Sequence, residues 1–363
     1  MPHRSLRLLA LLLATGLAAA LPARAAKDTF TATIVEHPYG ENFFVAHGLN
    51  NHGQVIASVA LPEFTWWITG PDGHGVSIPF TQAGTVTELQ GINDAGTVAG
   101  TYRLAGSQVT HAFVTDFGGA IADVHPAGAV ASVGGGIDEA GRITGAVEDD
   151  FGWQVFVSSV DRRHDLPLGT LGGPSAVGHA FRNGVVVGES MLESGATSHA
   201  FRDSRADGHM VDLGTLGGEN SAAFSVNARG QVVGYAQDAD DQPAAFITGA
   251  DGVTLQALRD LGPNHGLSGI SFANGIGRNG HVVGMAWQPA KLRYQAFVTG
   301  RDGHGMVDLN RFTTLHPGSY LDSAIAINDR GQIVAHDAMD EGLIWLLTPT
   351  RATWQRELEQ DGE

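Results

Sequence analysis

One pattern recurs along this chain and restricts its fold more than any other feature. It is an apolar residue, a short polar turn, a glycine and then a β-rich triplet. It reads LNNHGQVIA from Leu49, INDAGTVAG from Ile92, IDEAGRITG from Ile137 and FRNGVVVG from Phe181. It returns as VNARGQVVG from Val226, IGRNGHVVG from Ile276 and INDRGQIVA from Ile327. The turn glycines Gly53, Gly96, Gly141, Gly184, Gly230, Gly280 and Gly331 lie 43, 45, 43, 46, 50 and 51 residues apart. Seven copies at this period match the length of four-stranded propeller blades. The 50 glycines in 363 residues agree. Glycine costs about 1 kcal/mol relative to alanine inside a helix, whereas it suits short strands joined by tight turns.

Each copy reads as four strands. Small residues precede the turn, as in SAAFSV (Ser221 to Val226), and the Gln-Val-Val-Gly strand follows it. After a polar loop of variable length comes a strand centred on an aromatic, such as HAFVT from His111, HAFRD from His199 or QAFVT from Gln295. Asp-Gly pairs at Asp72, Asp207, Asp251 and Asp302 then signal a hairpin into a fourth strand. The seventh copy lacks a recognisable fourth strand, while TFTATIVE (Thr29 to Glu36) is a strand without the three that should precede it. The N-terminal strand is therefore expected to complete the last blade and remove an exposed edge. The prediction is an all-β fold, a single seven-bladed β-propeller of four-stranded antiparallel blades over residues 26–349.

The motif DLGTLGG…S.A..VN..GQVVG…AF resembles the bacterial extracellular HAF repeat, named for the His-Ala-Phe of its third strand. His111-Ala112-Phe113 and His199-Ala200-Phe201 carry it literally, and Ala245-Phe246 and Ala296-Phe297 keep most of it. The resemblance spans roughly Gly40 to Trp345, and is looser in the first and third copies. It implies export and a propeller-like fold, and brings no catalytic residues and no ligand.

The flanks support export. Arg4 and Arg7 precede an apolar run from Leu8 to Leu21, and Ala23-Arg24-Ala25 fits a cleavage site. Residues 1–25 read as a signal peptide, too short in its apolar run for the roughly 20 residues of a membrane span, and 350–363 as a polar tail. The expected location is secreted or periplasmic, with no membrane span after cleavage. The chain has no cysteine, so core burial and strand pairing must hold it. Its net charge of −17 becomes −20 once the leader, with three arginines and no acid, is gone. Nucleic acid is excluded as a partner by this balance. A soluble monomer is expected.

Catalytic signatures are missing. There is no H-E-x-x-H and no G-x-S-x-G. GIGRNG (Gly275 to Gly280) matches a dinucleotide pattern but is a repeat turn followed by a strand, not a helix. Of the 16 histidines, His111 and His199 hold equivalent positions in different blades and His74 and His304 follow Asp-Gly turns, which favours hydrogen bonding inside each blade over a metal centre. DLGTLGGENS (Asp212 to Ser221) reads as a connection between blades.

Candidate sites lie on the loops between second and third strands, which share a face with the interblade connections. Glu148, Asp149 and Asp150 sit on the third loop, Asp238, Asp240 and Asp241 on the fifth, Glu189 and Glu193 on the fourth, and Asp337, Asp340 and Glu341 on the seventh. Carboxylates gathered on one face suit Ca2+, which takes oxygen ligands. No cofactor is otherwise expected. The sixth loop alone is basic and aromatic, with Trp287, Lys291, Arg293 and Tyr294. Such residues stack on sugars or anchor protein partners. Together with Glu219 they form the expected binding face for a protein or glycan outside the cytoplasm. The alternative function is a polysaccharide-active hydrolase or lyase using paired carboxylates on the propeller.

Overall fold

The structure, a computed structural model, describes residues 29–37, 44–59, 65–75, 84–115, 119–158, 165–204, 209–258, 269–338 and 342–350. The leader, the tail from 351, Glu41, Asp207-Gly208, Asp340 and Glu341 lie outside the described residues.

The chain is an all-β propeller of antiparallel blades. Strand β1 (Phe30–Ile34) leads, and β2 (Phe44–Leu49), β3 (Val55–Val59) and β4 (Thr65–Ile68) form a three-stranded sheet. Next comes a four-stranded sheet of β5 (Gly84–Ile92), β6 (Val98–Leu104), β7 (Thr110–Thr115) and β8 (Ile121–Asp123). An eight-stranded sheet follows: β9 (Ala131–Ile137), β10 (Ile143–Asp149), β11 (Gly152–Ser158), β12 (Asp165–Gly169), β13 (Gly172–Arg182), β14 (Val185–Leu192), β15 (Ser198–Ser204) and β16 (Met210–Gly214). Its two halves are joined by a single parallel pairing, Trp153 with Ser175. Two four-stranded sheets succeed it. One is β17 (Gly217–Val226), β18 (Val232–Asp238), β19 (Pro243–Thr248) and β20 (Leu255–Ala257). The other is β21 (Ser271–Ile276), β22 (Val282–Gln288), β23 (Arg293–Thr299) and β24 (Met306–Asp308). The last sheet has β25 (Leu321–Ile327), β26 (Ile333–Asp337) and β27 (Ile344–Pro349), with β1 beside β27. The described strands thus assort into six hydrogen-bonded sheets rather than seven separate ones.

β1 pairs antiparallel with β27 in the register Phe30 to Pro349 through Ile34 to Trp345, so the N-terminal strand completes the last sheet. The first strands β2, β5, β9, β13, β17, β21 and β25 each pack on the next, and β25 packs back on β2. The core lies between sheets, and the third-strand aromatic is its wedge. Trp67, Phe113, Phe156, Phe201, Phe246, Phe297 and Trp345 are each no more than 2 % exposed. They sit against residues of the preceding sheet, as Phe246 does with Val187 and Ala200, and Phe297 with Val233 and Ala245, while Phe201 packs on Val155 and Val157 in the other half of its own sheet.

The repeat turn explains itself chemically. Asn328 Oδ1 accepts from the backbone N–H groups of Arg330 and Gln332, and its Nδ2 donates to the Asn50 carbonyl of the next sheet at 2.9 Å. Asn50 bonds the Asn93 carbonyl in the same way, Asn93 the Asp138 carbonyl, and Asn227 the Gly277 carbonyl. One buried amide therefore both folds a turn and ties it to its neighbour.

Candidate functional site: the axial channel

Six of the seven first strands, all but β9, leave out one residue at the same place. The pairing of β2 with β3 jumps from Ala46 to Gly48 and leaves out His47. The same jump leaves out Gln90 in β5, His179 in β13, Phe224 in β17, Asn274 in β21 and Ile325 in β25. A β-bulge bends its strand and re-aims the side chain that it leaves unpaired. Because the first strands pack on one another in a ring, the bulged residues surround the axis. Where the second strand carries a glycine, it makes room for the backbone of the first strand. A Cβ on Gly234 would lie 1.9 Å from the Ala222 carbonyl oxygen, and one on Gly284 2.0 Å from that of Phe272. This is the physical reason for the last glycine of the Gln-Val-Val-Gly strand.

The side chains around the axis form two arcs. In one, Glu88, His179 and Glu189 adjoin. Burial lifts the Glu88 carboxyl above its usual range, against the opposing pull of His179 and a hydrogen bond from Gln90. His179 Nε2 stands 3.6 Å from Glu189 Oε1. The other arc is aromatic: His179 meets Phe224 at 5.9 Å between ring centroids, Phe224 meets Tyr235 at 5.8 Å, and Tyr235 meets Phe272 at 5.3 Å. Burial, then the Glu189 carboxylate, raises the Tyr235 hydroxyl. The ring continues through Asn274, which donates to the Ala324 carbonyl, to a histidine pair. The Ala46 N–H donates to His336 Nε2 at 2.8 Å, so that nitrogen carries no proton. Burial lowers the pKa of His336 to about 4, and burial together with His336 lowers that of His47 to about 4. Both imidazoles are neutral at physiological pH.

At the end of the axis formed by the repeat turns, a cavity of about 110 Å³ is lined by Asn51, Asp94, Glu139, Arg182 and Asn328 among others. A polar chain spans it. The Asp94 N–H donates to Glu139, Asn51 donates twice to Asp94, and the Asp329 N–H donates to Asn51 Oδ1. Arg182 then reaches from the β13–β14 turn to Asp329 of the β25–β26 turn at 2.6 Å. These turns belong to sheets that are not neighbours.

The sequence-predicted residues occupy the other face, and the structure does not gather them. Trp287 and Tyr294 face each other across β22 and β23 with ring centroids 5.3 Å apart. Arg293 lies over the Tyr320 ring at 3.6 Å, and Lys291 contacts Gln295 and Asp308. The basic loop thus packs on its own surroundings. Asp238 Oδ1 accepts the Asp240 and Gln242 N–H groups, and Asp149 accepts Phe151 N–H and the Gln154 amide. These carboxylates close their own turns, and Asp150, Asp240, Asp241 and Glu219 point into solvent. Among the described residues no three His, Asp or Glu side chains are placed to hold a metal ion. The HAF histidines stay within their blades: His111 Nδ1 is 2.9 Å from Asp123, and His199 Nδ1 is 2.9 Å from Asp212. DLGTLGGENS runs from β16 into β17 as an interblade connection. Of the predicted loop residues, Glu189 alone belongs to the axis. The bulge was the missed signal, visible only as one extra residue between strand and turn.

No protein-family model and no curated protein matches the sequence. Solved structures do match in shape. An oligogalacturonate lyase in complex with manganese aligns at 10 % identity and TM-score 0.54, over 89 % of this chain and 94 % of that one. The acylaminoacyl peptidase of Pyrococcus horikoshii aligns at 10 % identity and TM-score 0.53, over 86 % of this chain and 53 % of that one. TolB from Acinetobacter baumannii aligns at 11 % identity and TM-score 0.46, and the chain spans 65 % of its length. At such identities the first two likenesses establish the propeller fold and nothing of activity. Among the described residues no helix is long and apolar enough to cross a membrane.

Proposed function

We propose that the chain is an exported, monomeric propeller of seven blades, related to the HAF repeats, whose axial channel binds a glycan. The seven-blade count is supported by the eight-stranded sheet dividing at one parallel pairing into two units, and by seven first strands closing a ring. The observation that carries the function is the bulge ring, which places the Phe224–Tyr235–Phe272 arc beside Glu88, His179 and Glu189. Aromatic faces take the C–H face of a sugar ring, while carboxylates and imidazoles take its hydroxyls. The loops bearing Trp287, Tyr294 and Glu219 would form the rim through which the ligand enters. The test is a glycan array followed by calorimetry on the best ligand. Phe224→Ala and Tyr235→Ala should each weaken binding about tenfold or more. Unchanged affinity in both would remove the channel from the reading.

A second reading, cleavage of a polysaccharide in the same channel, is favoured by the raised Glu88 carboxyl, which shares His179 as a neighbour with a second carboxylate, Glu189. Glycoside cleavage uses two carboxyl groups, one of them with its pKa raised. Release of reducing ends that is lost in Glu88→Gln would establish it.

A further inference from the structure

Two places on the repeat-turn face are built alike, and one is filled by the chain itself. Residues Pro71-Asp72-Gly73-His74-Gly75 and Arg301-Asp302-Gly303-His304-Gly305 follow nearly the same path, with Asp72 at φ 54°, ψ 33° and Asp302 at φ 55°, ψ 33°. The preceding sheet pins each turn with the same pair of side chains. Arg330 and Gln332 bond Asp72, and Arg229 and Gln231 bond Asp302. In the first place a carboxylate completes the arrangement: Glu36 Oε1 is 3.0 Å from His74 Nδ1, and Glu36 Oε2 accepts the Gly75 N–H at 2.9 Å. These two bonds, the backbone one first, hold the Glu36 carboxyl below its usual range.

Glu36 comes from the chain just beyond β1. Val35 precedes it, and its N–H bonds the Ile344 carbonyl. At the second place Leu258 stands where Val35 does, its N–H bonding the Ala245 carbonyl. The residue after Leu258 is Arg259, which lies outside the described residues and in any case has no carboxylate. Beside His304 is instead a cavity of about 450 Å³ lined also by Arg229, Gln231, Thr248, Gln256 and Asp302, the last paired with Arg229. It opens on the face opposite the predicted loops. In a chain of net charge −17 it presents the His304 imidazole, with the Asp302 carboxylate already neutralised by Arg229.

We propose that this cavity between the β17–β20 and β21–β24 sheets is a binding site for a ligand carboxylate, held by His304 and the Gly305 N–H as His74 and Gly75 hold Glu36. Uronic acids and acidic peptide side chains share that group. The site is separate from the axial channel and does not depend on it.

The test is a nuclear magnetic resonance titration of the full chain lacking its leader. The probes are D-glucuronate and N-acetylglutamate, with glucuronate methyl ester as the neutral control. Both acids should shift the Gly305 amide and the His304 ring saturably, and the ester should not. The stronger acid identifies the source, saccharide or peptide. His304→Ala should weaken binding about tenfold, the loss expected for one charge-assisted bond. Glu36→Ala, which leaves the cavity untouched, should create a second responsive site at Gly75. No saturable response at Gly305 in the natural sequence, or an equal response to the ester, overturns the proposal whatever the variants do.

Discussion

The two ends of the propeller are made of similar turns and do different work. At the repeat-turn end, the Asn328 amide bonds its own turn and also the Asn50 carbonyl of the next sheet. At the opposite end, Asp238 folds a turn of the same kind, accepting N–H groups two and four residues ahead, and reaches nothing beyond it. The same local geometry is structural glue where the amide is buried and an isolated loop where the carboxylate is exposed. A carboxylate has no N–H to donate onward, so it cannot link blades as asparagine does. Repetition in sequence therefore marks the end that holds the ring together, and variation marks the end that is free to differ.

The largest effect should come from opening the ring. Phe30 is 1 % exposed and packs with Phe312, Leu321 and Trp345. Deleting residues 26–37 removes that ring, five backbone pairs with β27, and the cover of the last sheet's edge. Losing the Phe30 side chain alone costs about 3–5 kcal/mol, so the deletion should abolish the cooperative transition in scanning calorimetry. A melting temperature within a few degrees of the full chain would show that neither end depends on closure.

Between the ends, the His47–His336 pair gives the interior a pH dependence. Both have folded pKa values of about 4 against an ordinary 6.5. Above pH 6.5 neither state is protonated and stability is full. As pH falls from 6.5 to about 4 the unfolded chain takes up protons that the folded chain refuses. Stability then drops, by up to about 3 kcal/mol per histidine. His336→Gln, which keeps an acceptor for the Ala46 N–H, should flatten part of that slope in urea titrations between pH 4 and 7. An unchanged slope would place the titration elsewhere.

The comparison of the turns can be broken directly. Asn328→Ala removes one of the two bonds to the buried Asn50 carbonyl and leaves the Arg330 and Gln332 N–H groups without their side-chain acceptor, and should cost about 2–4 kcal/mol. Asp238→Ala removes bonds that water replaces, and should cost less than about 1 kcal/mol. Equal losses in chemical denaturation would mean that the two ends are held in the same way.

Much of this was legible in the sequence, for reasons that the residues show. Turn glycines such as Gly230 (φ 79°) need a left-handed backbone, and buried wedges such as Phe246 need an aromatic, so both recur visibly. The closing strand was legible because a strand without a blade matched a blade without a strand. The axial site was not. Its members His47, Gln90, His179, Phe224, Asn274 and Ile325 share a position and no chemistry, so no composition signal marks them. The Arg182–Asp329 bond joins residues 147 apart across the ring, a distance that no local pattern reports. The loop charges drew attention because exposed acids are conspicuous, yet Asp149 and Asp238 are spent on their own turns and Asp150, Asp240, Asp241 and Glu219 face solvent.

The smallest expected effect concerns Ca2+ at the variable end. Ca2+ takes six to eight oxygens, several of them carboxylates. Asp238 and Asp149 already accept backbone and amide hydrogens, and Asp240 and Asp150 are exposed on separate loops. Binding there would be loop by loop, with dissociation constants no tighter than the ligand concentrations usually added. At a concentration equal to the dissociation constant, one site adds only about 0.4 kcal/mol. For a chain of this size that moves the melting temperature by about 1 °C or less. Millimolar Ca2+ should therefore leave the calorimetric transition nearly in place, and Asp240→Asn should not alter it. A rise of several degrees that Asp240→Asn or Asp150→Asn abolished would mean that these loops converge on a shared ion. The variable end would then help hold the ring, and the contrast between the two ends would be one of metal ligation against amide bonding.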